Sequence, residues 1–202
     1  MIKAIIFDWG NVLEYFDNEG FVKEISKTFS LDPVKFAKKE FANRIRFDAG
    51  EFTTEGFLAE MSREFWVAFT VDNYFGPFYS QYIKPILPVQ KLLKKLKKHY
   101  RLFLLSNNSE IAHDRFKRGL PFSKDFEKIV ISYEHKLLKP DPRIYKILLE
   151  GTGLKPEECL YIDDLPEFIE GAKNSGMKTI LYKKPEQLIH DLDGLGIRMK
   201  DS

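Results

Sequence analysis

Four short stretches carry residues able to handle a phosphoryl group. They are Phe7-Asp8-Trp9-Gly10-Asn11-Val12-Leu13, Leu105-Ser106-Asn107-Asn108, Lys136-Leu137-Leu138-Lys139-Pro140-Asp141-Pro142, and Tyr161-Ile162-Asp163-Asp164. If Asp8, Asp163 and Asp164 converge, they repel: two like charges ~4 Å apart cost about 4 kcal/mol at an effective dielectric near 20. A hard divalent cation with oxygen ligands relieves that repulsion, and magnesium suits a set of carboxylates completed by substrate phosphate and water. Zinc is disfavoured, because His99, His113, His135 and His190 share no metal-binding spacing and the chain has a single cysteine, Cys159. The Ser106 hydroxyl and Lys139 ammonium are suited to hold non-bridging phosphate oxygens. Asp8 is then the candidate nucleophile, forming an aspartyl-phosphate that water hydrolyses. Taken singly, an Asp-Asp pair reads as a turn or cap, Ser106 as a helix cap and Lys139 as a surface lysine. The ordered set is more specific than any of its parts.

These residues need a scaffold that brings distant segments together. Short apolar runs at Ile2 to Phe7, Arg101 to Leu105, Lys128 to Ile131, Cys159 to Ile162 and Lys178 to Tyr182 read as buried strands. Helical patterns at Pro88 to His99, Ser109 to Arg118, Pro140 to Gly151 and Glu167 to Ser175 alternate with them. The expectation is an α/β fold, a doubly wound parallel sheet in which ligands bind beyond the carboxyl ends of the strands. From about Phe16 to Pro85 no strand pattern is found; Phe21, Ile25, Phe29 and Phe57, Met61, Phe65 recur at helical spacing. The expected organisation is a Rossmann-like core of residues 1–15 and 86–202 with a small α-helical cap domain of residues 16–85 acting as a lid. The aromatic residues of that cap are expected to be packing. The lysines among Lys91, Lys94, Lys95, Lys97 and Lys98 are expected to be a solvated helix face.

Bulk properties exclude other classes. The 202 residues are 44% hydrophobic, enough to bury a core. Thirty-two basic against 30 acidic residues leave a formal charge of +2, which suggests no nucleic-acid partner. No apolar run reaches the roughly 18 residues of a membrane span. The single cysteine and the opening Met-Ile-Lys-Ala-Ile-Ile-Phe-Asp suggest a cytoplasmic protein, and oligomeric state is not legible.

In that order the four stretches resemble the motifs of the haloacid dehalogenase-like hydrolase superfamily, with a subclass I helical cap between the first two. The resemblance implies that Asp8, the backbone carbonyl of Gly10 and Asp164 bind magnesium, with Asp163 as direct or water-mediated support. It implies that Asn107 lines the phosphate pocket beside Ser106 and Lys139, and that the substrate is a small phosphorylated metabolite selected by the cap.

Two positions depart from the pattern. Phosphatases of this family usually carry a second aspartate two residues after the nucleophile, as general acid and base; Gly10 stands there. Such a group contributes typically ~10²–10⁴-fold, so its loss favours substrates with good leaving groups. The string Phe-Asp-x-Gly-Asn-Val also resembles a branch described as sugar-1-phosphate phosphatases, whose anomeric leaving group needs less protonation. Phe168 stands where asparagine or aspartate commonly supports the metal. One alternative is a metal-free 2-haloacid dehalogenase, which would need a cap arginine; Arg44 and Arg46 are the first after Asp8 and read as exposed surface. The other is a binding or regulatory protein without turnover.

Overall fold

The computed structural model of the chain describes residues 1–199, the side chains of 77 and 78 apart. The alternation of short apolar runs with amphipathic ones yields the expected α/β architecture. Strand β1 (Ala4–Phe7) is followed by β2 (Glu14–Phe16), then by helices α1 (Asn18–Thr28), α2 (Pro33–Asp48) and α3 (Thr54–Phe65). A π-helical turn at Val71–Phe75 leads to α4 (Pro77–Gln81) and β3 (Ile83–Pro85). The remainder alternates: α5 (Leu87–Leu96), β4 (Arg101–Ser106), α6 (Glu110–Lys117), β5 (Lys128–Ile131), α7 (Ser132–His135), α8 (Pro142–Leu149), β6 (Cys159–Asp163), α9 (Pro166–Asn174), β7 (Lys178–Leu181) and α10 (Pro185–Gly194).

Five of the strands form one parallel sheet in the order β5-β4-β1-β6-β7. Because successive side chains of a strand point to opposite faces, each buried strand divides its residues between two cores. Ile5, Phe7, Leu102, Leu104, Leu160 and Ile162 pack into one. Ala4, Ile6, Phe103, Leu105, Cys159 and Tyr161 pack into the other. β1 is the central strand, and the chain winds outward from it in both directions, so the topological switch lies at its carboxyl end.

The helical insertion has a core of its own, built on Phe21, Phe36, Phe47, Phe57, Tyr74 and Phe75. Its helices start where side chains satisfy free backbone N–H groups: Asp17 accepts from Gly20 N, Asp32 from Lys35 N and Thr53 from Gly56 N. The expectation of no strand across this region is corrected at both ends. β2 and β3 pair antiparallel, with Tyr15 opposite Lys84, making a two-stranded ribbon through which the chain enters and leaves the insertion. Three-residue strands are too short to show periodicity. The ribbon is tied at its root by Ile86 N to Leu13 O at 2.9 Å and at its far end by Asp17 N to Tyr82 O at 2.8 Å. The lysine face of α5 lies outward as expected, with Leu92, Leu93 and Leu96 buried and Lys91, Lys94 and Lys95 exposed. α10 is an additional element, carrying Leu188 and Leu192 into the core.

Candidate active site

Three neighbouring strands, β4, β1 and β6, end in the residues singled out above. Asp8 follows β1 directly, its N–H held by Ile162 O at 2.9 Å. Ser106 and Asp163 are the last residues of β4 and β6. Parallel pairing aligns these ends side by side, Phe7 facing Leu104 on one flank and Ile162 on the other. Carboxylate oxygens of Asp8, Asp163 and Asp164 come within 4.8 Å of one another. Lys139, 32 residues after Asn107, reaches the same point from the loop before α8. Its Nζ donates to Asp8 Oδ1 at 2.9 Å and Asp163 Oδ2 at 2.7 Å, and approaches Leu105 O at 3.4 Å.

The cluster is buried. Asp163 has no exposed surface, Ser106 is 2% exposed and Lys139 3%. Burial, opposed by Lys139 and reinforced by Asp163, pushes the Asp8 carboxyl up to about 7. Burial also acts against the charged Lys139 amine, but Asp8 and Asp163 outweigh it and its pKa is raised. Asp164 is shifted upward too, chiefly by burial. Three acids, of which Asp164 is half-buried, and one buried ammonium therefore share the site, with a formal charge of −2. Such a group with only oxygen donors matches the charge and hardness of a divalent cation of the magnesium or calcium type.

Several partners fix this geometry. Asp163 Oδ1 accepts from Leu165 N at 3.0 Å, and its Oδ2 accepts from the Tyr161 hydroxyl as well as from Lys139. Asn11, whose φ of 55° is left-handed, donates from Nδ2 to Asp164 Oδ2 at 3.1 Å. The Lys139 ammonium also lies over two rings, 4.7 Å from the centroid of Phe168 and 5.8 Å from that of Tyr161. Tyr161 was legible, since residues i and i+2 of a strand share a face. The contact between Lys139 and Phe168 had no local signal.

The six residues Asp8, Gly10, Ser106, Lys139, Asp163 and Asp164 sit at or beside these strand ends. The Ser106 hydroxyl has no hydrogen bond among the described residues and is free for a ligand. Gly10 is exposed and lies on the turn after β1, and a Cβ added there would meet nothing within 4 Å. Asn107 is different: its Nδ2 donates to Lys139 O at 3.1 Å and its Oδ1 accepts from Lys139 N at 2.8 Å. Its amide clamps the backbone of the lysine loop, a job that adjacency to Ser106 did not suggest. The exposed-surface expectation for Arg44 is also corrected. Its guanidinium donates to Glu40 Oε1 at 2.6 and 3.0 Å and to the Tyr79 hydroxyl at 3.2 Å, inside the insertion's core. Arg46 is exposed as expected, paired with Glu51 at 2.7 Å.

A cleft of about 370 Å³ opens beside the cluster, and Gly10 and Asn108 are among the residues that line it. Phe16, Phe75 and Tyr79 from the insertion side form one wall, and Trp9, Ile111 and Ala112 the other. Glu14 and Arg115 in the cleft neutralise each other through a two-pronged pair at 2.7 and 2.9 Å, and the Trp9 indole also donates to Glu14. The insertion is latched to the sheet domain nearby: Glu110 Oε2 accepts from Thr54 N at 3.0 Å and Thr54 Oγ1 at 2.9 Å.

Residues 5–182 match the family model described as "Haloacid dehalogenase-like hydrolase". The chain is 30% identical over 206 residues to acyl-CoA dehydrogenase family member 10 of Mus musculus, covering 96% of this chain but only 19% of that protein. It is 25% identical to the D-ribitol-5-phosphate phosphatase of Bacteroides thetaiotaomicron, covering 89% of this chain and 91% of that enzyme. Among solved structures, a HAD family enzyme from Bacteroides thetaiotaomicron superposes with a TM-score of 0.82 at 27% identity, covering 95% of this chain and 98% of that one. The wild-type form of that enzyme in complex with magnesium and inorganic phosphate gives a TM-score of 0.76 at 26% identity, covering 91% and 96%.

Proposed function

Since the chain belongs to the haloacid dehalogenase-like hydrolases, we propose that it is a magnesium-dependent phosphatase that cleaves a small phosphorylated metabolite through Asp8. The observation that carries this reading is the convergence of Asp8, Asp163 and Asp164 within 4.8 Å of one another, with the Lys139 ammonium bonded to the first and second of them. Its all-oxygen donor set and formal charge of −2 fit magnesium, which would be held by Asp8, Asp164 and the Gly10 carbonyl, with Asp163 in support. Bound there, the ion neutralises the acids and draws charge from the phosphoryl oxygens.

The chain's own groups do the rest. Asp8 attacks phosphorus, the alcohol departs, and the aspartyl-phosphate is cleaved by water to regenerate the carboxylate and release inorganic phosphate. Lys139 and the free Ser106 hydroxyl hold the non-bridging oxygens, and the transfer is accelerated by positioning and by charge placed before the reaction begins. Asn107 holds the lysine loop, and Asn11 holds Asp164. The leaving group occupies the cleft beyond Gly10, with residues 16–85 as the cap that covers it.

With glycine at position 10, no carboxyl stands on the turn after β1 to protonate a departing alkoxide, so a less basic leaving group is favoured. An anomeric sugar phosphate has such a leaving group, whereas the similar D-ribitol-5-phosphate phosphatase is named for a sugar-alcohol phosphate with a basic alkoxide, so both kinds of ester belong in the test. An aryl phosphate assayed with and without magnesium, beside a panel of sugar phosphates and a 2-haloacid, tests the reading. Magnesium-dependent phosphate release is expected. Halide release without metal would replace phosphatase by dehalogenase, and no turnover of any substrate would remove the catalytic reading.

A further inference from the structure

Lys139 is the one cation in contact with both Asp8 and Asp163 among the described residues, and it sits on a four-carbon stem with freely rotating bonds. Two carboxylates attract it, yet once a phosphate dianion arrives a flexible ammonium could follow the new charge and leave Asp8. Something must limit where it goes. Three of its surroundings are acceptors: Asp8 Oδ1, Asp163 Oδ2 and Leu105 O. The others are two rings, Tyr161 at 5.8 Å and, nearer, Phe168 at 4.7 Å from Nζ to the centroid, a distance at which the negative face of a ring attracts a cation.

The backbone that carries the ring is held. Phe168 lies in the first turn of α9, with its N–H bonded to Leu165 O at 3.1 Å. Its carbonyl accepts from the Tyr145 hydroxyl at 2.9 Å. Tyr145 is fully buried and stands edge-on to Tyr161 at 5.7 Å, and the Tyr161 hydroxyl donates to Asp163. The backbone of Phe168 and the acid that Lys139 bonds are thus held by two tyrosines in edge-on contact.

We propose that Phe168 is a positioning residue, whose ring face confines the Lys139 ammonium to the line between Asp8 and Asp163 so that its charge stays where the transferred phosphoryl group lies. The proposal rests on the phosphatase reading for its consequence, but the contact itself does not. Phe168 acts on the lysine and not on the metal, although it occupies the position where a polar metal-supporting side chain was expected.

The test compares Phe168→Leu, Phe168→Trp and a chain with 3,4,5-trifluorophenylalanine at 168, which keeps the shape of the ring but withdraws its negative face. For an aryl phosphate, Phe168→Leu and the fluorinated chain are expected to lose about tenfold in kcat/KM, with orthophosphate inhibition weakened to a similar degree. Half-saturating magnesium should stay at the wild-type value, and Phe168→Trp should retain activity closer to wild type. The ring-current shift on the Lys139 methylene protons should be larger in wild type than in Phe168→Leu, where only Tyr161 contributes, whether or not the protein turns over. Wild-type kinetics in the fluorinated chain, or an effect confined to magnesium, would overturn the proposal. The same shift in wild type and Phe168→Leu would also overturn it. A wild-type protein with the shift but without phosphatase activity would instead defeat the phosphatase reading, and with it the consequence assigned to Phe168.

Discussion

The ammonium of Lys139 lies between two carboxylates, 2.9 Å from Asp8 Oδ1 and 2.7 Å from Asp163 Oδ2, with 1% of the lysine side chain exposed. The lysine therefore has a structural role beside the catalytic one proposed for it. Lys139→Met fills a similar volume but leaves Asp8 and Asp163 facing each other in a dry site. Removing one partner of such a buried ionic group costs roughly 3–5 kcal/mol. In EDTA at neutral pH the variant should melt well below wild type. Magnesium, binding only the folded chain, should raise its melting temperature more than it raises that of wild type. Calorimetric scans with EDTA and with magnesium check this, and an unchanged midpoint in EDTA would show that the pair carries no stability.

Asp8→Asn gives the opposite pattern. An amide nearly matches the carboxylate in shape and can still accept from Lys139, but it cannot attack phosphorus. Turnover should fall by at least about 10³-fold. Stability should not fall with it. Burial raises the Asp8 pKa to about 7, so in the absence of metal its stabilising contribution is present below the unfolded value and lost as pH rises through about 7. At pH 8 in EDTA the variant should melt no lower than wild type. Retained turnover would remove Asp8 from the mechanism.

The sites at the strand ends were legible because the local signal and the topology agree. Apolar runs such as Ile5 to Phe7 and Leu160 to Ile162 are too short for helices, and the polar residues that follow them lie where a doubly wound sheet binds ligands. What was not legible depends on where a side chain ends. Asn107 sits beside Ser106 in the chain, but its amide turns to the Lys139 backbone, 32 residues away. Phe168 was visible as a departure, whereas its ring over Lys139 depends on how α9 packs against the loop before α8. Arg44 was read as exposed although Glu40, four residues earlier, stood at ion-pair spacing on one helix. The weight given to average arginine exposure hid that signal.

Asp48 provides a pH test away from the site. It is the last residue of α2, its Oδ1 is sealed from solvent without a hydrogen-bond partner among the described residues, and its backbone carbonyl accepts from the Ser132 hydroxyl at 2.5 Å. Burial, opposed by Arg44 and reinforced by Glu40, raises its pKa from 3.8 to about 7. The folded chain thus favours the protonated acid. Its contribution to stability is fully present below the unfolded pKa, declines as the unfolded chain ionises, and is lost once pH passes about 7. Asp48→Asn cannot ionise. Its melting temperature relative to wild type should rise steadily between pH 4 and pH 7, by roughly the window of the shift, and stay level above that. A constant difference across the range would show that Asp48 titrates as an ordinary surface acid.

Gly10 poses the question of the leaving group most directly. A Cβ at this position would meet nothing within 4 Å and the residue is not among those with positive φ, so an aspartate can be introduced without strain. Its carboxyl would stand on the lining of the cleft assigned to the departing alcohol. If protonation of that alcohol limits turnover, Gly10→Asp should speed alkyl phosphates by about 10²-fold or more, within the range of a positioned general acid. Aryl phosphates, whose phenolate leaves without help, should gain much less. The slope of log kcat/KM against leaving-group pKa is the measurement, and it should flatten in the variant. An equal gain for both classes, or an unchanged slope, would mean that leaving-group protonation does not limit the rate and that Gly10 has not shaped the choice of substrate.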